Sequence, residues 1–182
     1  TLDILYQIDN GLPSEASTKS FLRMVCNDTS QYYLDQNELK PWPVDQKYMV
    51  SMPHRNRVLS ALPWGGANEP IRYMDDPRVR NCSVLPAIGE HIVDGVMQAI
   101  GAFMEQAAHL PQAEREAWTN AMGDQMDTGE PPKDTLEVQR SVIVCRGQGQ
   151  QVTTEFVMNM SAPYTWTGEI SAEAAERLLN GQ

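Results

Sequence analysis

A hairpin near the end of the chain sets the strongest limit on the fold. Val138, Val142 and Val144 recur at strand parity before Gly147-Gln148-Gly149-Gln150, and Val152, Phe156 and Met158 recur at one parity after it. Two alternating runs around a glycine-bearing loop predict an antiparallel strand pair. Such a pair cannot bury its apolar face alone, so other elements must cover it.

A long helix is the next signal. Ile88, Ile92, Val96, Ala99, Phe103 and Ala107 recur at steps of three and four, with Val93, Met97, Ile100 and Met104 as a second stripe beside them. So wide an apolar arc predicts a helix buried on two sides; core packing within the chain is the first expectation, and packing on a sheet and also against another subunit is the alternative. Glu90, His91, Asp94, Gln98, Glu105 and Gln106 interrupt it, which excludes a membrane span of about 20 apolar residues.

The remaining elements follow from local signals. Leu2, Ile4, Tyr6 and Ile8 alternate with Asp3 and Gln7, broken only by Leu5, and this predicts a half-buried strand ending at Asp9-Asn10-Gly11. Ser14 is placed to cap a helix carrying Phe21, Leu22 and Val25. Residues 31–34 and 39–44 flank the polar turn Asp35-Gln36-Asn37-Glu38, with Pro41 and Pro43 making the second arm an edge strand. Prolines 53, 63, 70, 77 and 86 punctuate residues 45–86, where a short helical turn is expected over 58–62 and a strand over 79–85. A polar helix is expected over 112–122, a surface loop over 124–133, and a last helix capped by Ser171 with Ala174, Ala175, Leu178 and Leu179 on one face. The order predicts an α+β fold: one domain over 1–182, with a mixed, mostly antiparallel sheet and helices packed on one face.

Charge narrows the partners. The 182 residues include 14 Lys and Arg against 24 Asp and Glu, a net charge of −10. A nucleic-acid binder needs a basic stripe, so neither nucleic acid nor an anionic membrane is expected. The small cluster Arg55, Arg57, Arg72, Arg78 and Arg80 suits a small anionic ligand, because guanidinium forks clamp carboxylates. Arg55 and Asn56 in 53–57, and Arg72 and Arg80 near loop-to-strand boundaries, are the candidate substrate contacts. Cys26, Cys82 and Cys145 form no C-x-x-C pair and read as free thiols of a reducing, cytoplasmic setting. The chain opens on Thr1 directly into a strand-like run, which points to a segment upstream.

No complete catalytic constellation is visible. G-x-G-x-x-G, the P-loop and the G-x-S-x-G elbow are absent. His54, His91 and His109 have no metal-ligand spacing, so no metal, no cofactor site and no named catalytic residue is expected here.

Several short motifs together resemble the saccharopine dehydrogenase family. These are Gly11-Leu12-Pro13 after the first strand, Gln31-Tyr32-Tyr33-Leu34-Asp35-Gln36-Asn37-Glu38-Leu39, Arg146-Gly147 to Val152, and Thr167-Gly168 followed by an Ala- and Leu-rich segment ending at Gly181. Where that family has an arginine followed by an acid, this chain has Arg55 and Asn56. The resemblance implies the family's second domain, which carries substrate contacts and dimer contacts. NAD or NADP would sit on an upstream Rossmann domain, and hydride transfer to a small amino-acid-like substrate would occur between the two. It implies a homodimer and a chain that is not catalytic alone. The alternative is a non-enzymatic ligand-binding or dimerising module.

Overall fold

The computed structural model describes residues 1–9, 13–25, 31–43, 45–53, 57–63, 67–125 and 137–181. Its main sheet is built from β1 (Leu2–Asp9), β2 (Tyr32–Asp35), β3 (Glu38–Pro41), β6 (Cys82–Ala87), β7 (Arg140–Gln148) and β8 (Thr153–Met160), in the order β3-β2-β6-β1-β7-β8. β1 and β6 run parallel; the other neighbours are antiparallel. A second sheet pairs β4 (Tyr48–Met52) with β5 (Arg57–Ala61). The helices are α1 (Glu15–Val25), the short α2 (Glu69–Arg72), α3 (Glu90–Gln106), α4 (Gln112–Gln125) and α5 (Pro163–Leu179). The fold is α+β, with a mixed and mostly antiparallel sheet.

Strand parity gives the main sheet two faces. Ile4, Tyr6, Val84, Ile143, Cys145, Phe156 and Met158 share the first; Leu5, Gln7, Leu85, Ala87, Val142, Val144 and Val157 share the second. The β4–β5 pair lies on the second face, where Val50, Met52, Leu59 and Ala61 join Leu5, Leu85, Ala87, Val142 and Val144 in one buried cluster. Trp42 closes its rim, with ring centroids 4.6 Å from Tyr33 and 4.8 Å from Tyr48. α2 and the first half of α5 lie against the first face, where the Tyr6 hydroxyl donates to Glu69 at 3.4 Å. β1 is therefore covered on both sides. It is a central strand, where its alternation predicted a half-buried one; Leu5, the residue breaking that alternation, belongs to the second buried face.

Local chemistry accounts for the ends and turns. The Ser14 hydroxyl accepts from the Ser17 N–H at 3.1 Å and caps α1, as the sequence predicts. β3 is the sheet edge, as its proline predicts. Gln36 and Asn37 both have positive φ, the requirement of a two-residue primed turn, and the Asn37 amide ties that turn to the carbonyls of Met74, Asp76 and Val79. Along α3, Val93, Ile100 and Phe103 are buried while Met104 is half exposed, so the described residues cover only part of the wide apolar arc.

Two expectations fail. Residues 58–62 were expected to turn helically, yet Arg57–Ala61 is a strand, because Leu59 and Ala61 alternate into the core against β4. Ser171 does not cap the last helix: α5 begins at Pro163, a residue suited to the first turn, and the Ser171 hydroxyl donates within the helix to the Thr167 carbonyl at 2.7 Å.

Candidate functional site

The parallel strands β1 and β6 both end, at Asp9 and Ala87, on one border of the sheet. Carboxyl ends of parallel strands make crevices, since the connections leave in different directions. A cleft of about 50 Å³ lies there, lined by Gln7, Asp9, Arg57, Ser60, Gly89 and Glu90 together with Leu59 and Ala87.

Three elements build it. β1 delivers Gln7 and Asp9 on its second face, and β5 delivers Arg57 and Ser60. The β6–α3 junction turns at Gly89 with φ 102°, a conformation that disfavours any side chain. That turn points Glu90 back at β5, where its carboxylate accepts from the Ser60 N–H at 2.9 Å. The Leu62 N–H donates to the Pro86 carbonyl at 3.1 Å, fixing β5 beside β6.

The polar chemistry of the cleft is mixed. Gln7 is 2% exposed, and its Nε2 donates to both Asp9 oxygens, at 2.8 and 2.9 Å. Facing a carboxylate fixes the amide: the NH₂ must turn to Asp9, so Oε1 turns away. Gln7 Oε1 is buried without a hydrogen-bond partner among the described residues, and a buried unpaired acceptor costs about 1–3 kcal/mol. Hydrogen bonding from Ser60, helped by the charges of Lys47 and Arg57, holds the Glu90 carboxyl below its ordinary range. Glu90 is thus ionised at neutral pH and suits a cation better than it suits proton donation. One cation and two carboxylates suit a zwitterionic head group: ammonium on Asp9 and Glu90, carboxylate on Arg57. Among the described residues, no group of three or more His, Cys, Asp or Glu is placed to hold a metal ion.

The structure distributes the expected site residues unevenly. Arg55 and Asn56 lie outside the described residues. Arg72 ends α2, exposed, away from the cleft lining. Arg80 precedes β6 at the opposite border of the sheet, where its guanidinium bonds the Gln36 side-chain oxygen. Arg78, from the same cluster, is paired with Asp76 at 2.7 Å. Of the arginine-bearing segments, the structure brings Arg57 to the cleft. Gln7, Asp9 and Glu90 were not singled out from the sequence. One advance signal exists, for Gln7: Leu5, an apolar residue on the supposed solvent face of β1, implies that Gln7, two residues on, is buried as well.

No described helix is long and apolar enough to cross a membrane. Neither a curated protein nor a solved structure matches the chain. Residues 1–182 match one family model throughout, and the chain belongs to that family, the Family of unknown function (DUF5938).

Proposed function

We propose that this chain is the substrate-side domain of an NAD(P)-dependent oxidoreductase resembling the saccharopine dehydrogenase family, and that it holds the head group of an amino-acid-like substrate in the cleft at the ends of β1 and β6. The observation carrying this reading is a cleft at the ends of β1 and β6 that presents Asp9 and Glu90 beside Arg57. Together these groups complement an ammonium and a carboxylate on one molecule. The motifs at both ends of the chain support the family reading, and Arg55 lies two residues before Arg57 in the segment entering β5. On this reading the nicotinamide cofactor belongs to an upstream Rossmann domain, the protein works as a homodimer, and the free thiols of Cys82 and Cys145 suit a cytoplasmic setting.

Calorimetric titration with an amino-dicarboxylate such as L-glutamate tests the cleft. Saturable binding is expected, weakened by about 1.5–3 kcal/mol in Arg57→Ala if a charge-assisted hydrogen bond is lost. Equal affinities would return Arg57 to surface charge balance. Titration with NADPH and NADH tests the family reading: full-length protein binds one of them and residues 1–182 alone bind neither. Binding of L-glutamate by a full-length protein that takes up no nicotinamide cofactor would favour the non-enzymatic module.

A further inference from the structure

A second hollow lies on the first face of the sheet, under the first half of α5. It is a half-open hollow of about 250 Å³ between Ile8, Ile143 and Met160 on the strands and Trp166 and Ile170 on the helix, with an almost wholly apolar surface. At its floor is Ser141, which register places between Ile8 and Met160. Ser141 is 2% exposed, and its hydroxyl has no hydrogen-bond partner among the described residues. The hollow exists because α5 stands away from the sheet: none of its residues is fully buried, and near its start it is held by the Tyr164 hydroxyl, which accepts from the Ser14 N–H at 2.9 Å.

From this geometry we infer that the hollow is a binding site for a small, uncharged, mainly aromatic or alkyl molecule carrying one hydrogen-bonding group, which meets the Ser141 hydroxyl. Size, wall chemistry and the buried hydroxyl each restrict the ligand. An apolar cavity of about 150 Å³ already admits benzene, so this one admits a bicyclic ring or a short chain. The lining holds no Asp, Glu, Lys, Arg or His, and its one phenol, Tyr6, is turned to Glu69. A charged ligand would therefore lose its hydration without a counter-charge. A hydroxyl both donates and accepts, so the ligand's single polar group can be either an N–H or a carbonyl. Met160 and Trp166 supply soft and flat surface that adapts to a ring.

The site shares no charged group with the cleft on the second face, so the two readings fail separately. Indole is the probe, with benzene as the comparison that lacks a polar group. Calorimetry on residues 1–182 should show saturable one-to-one indole binding. Ser141→Ala should weaken indole about tenfold, the loss of one hydrogen bond, and leave benzene unchanged. Ile170→Trp, which fills the hollow from an exposed helix position, should abolish binding of both; Thr167→Phe does the same if the first variant loses its circular dichroism. Arg57→Ala should leave indole binding as it is. Absence of saturable indole binding, or binding that survives a folded filling variant, overturns the site. Indole affinity unaffected by Ser141→Ala overturns the role of the hydroxyl.

Discussion

Replacing Gln7 by Glu converts a neutral buried amide into an acid at the point of closest contact in the cleft. In the native protein Nε2 lies 2.8 and 2.9 Å from the two Asp9 oxygens. An oxygen in that place puts two carboxyl groups at hydrogen-bond distance, and both cannot be ionised there. The pair keeps one proton in the folded state, at a pH where an unfolded glutamate has already lost it. If that proton leaves near pH 6.5, about two units above the ordinary value of about 4.3, the variant is about 3 kcal/mol less stable at pH 8 than at pH 4, relative to wild type. The sign follows from proton counting. Between the two values the folded state binds more protons than the unfolded, so stability falls as pH rises through the window and is level above it. Gln7→Leu provides the control. It loses the bonds to Asp9, worth about 1.5–3 kcal/mol, and removes the unpaired Oε1, which returns about 1–3 kcal/mol. Its net change is small and independent of pH. Urea denaturation of the three proteins at pH 4 and pH 8 measures the difference. A Gln7→Glu penalty equal at both values would refute the placement of this side chain against Asp9.

Three further outcomes follow from the same structure. Leu34 is 1% exposed in the core, so Leu34→Ala should cost about 2–5 kcal/mol in urea denaturation, and a loss under 1 kcal/mol would contradict that burial. Burial pushes the Cys82 thiol up to about 12, so peptide mapping after iodoacetamide at pH 8 should find it unmodified in native protein and alkylated in denaturant. Arg78, through its guanidinium and then its backbone N–H, holds Asp76 down at about 2. The stabilisation from this pair is therefore present above about 3.8 and lost as pH falls through about 2. Carboxyl NMR should place the Asp76 midpoint near 2, and one near 3.8 would remove the pair from solution.

What the sequence shows and what it hides divide along one physical line. The β7–β8 hairpin, α3 and the capped start of α1 rest on neighbours in sequence, and periodicity or a single capping hydroxyl is enough to see them. β5 is harder because Val58-Leu59 and Ala61-Leu62 fit a helical turn and a buried strand equally well; only β4 across from them decides. The start of α5 was hidden by Ser171, a good capping residue that is spent inside the helix on the Thr167 carbonyl. The cleft is less legible still. Gln7, Glu90 and Arg57 come from three elements, and nothing local joins them. The arginines show why. A guanidinium at a loop-to-strand boundary meets the cleft only if that boundary lies on the cleft's border of the sheet, and strand direction decides which border it is. β6 runs parallel to β1, so Arg80 at its amino end is carried to the far border, whereas Glu90, just past its carboxyl end, arrives beside Asp9. Were β6 reversed with its sequence unchanged, Arg80 would line the cleft and Glu90 would not. The site's chemistry is thus set by the one parallel pairing in a sheet whose other pairings are antiparallel.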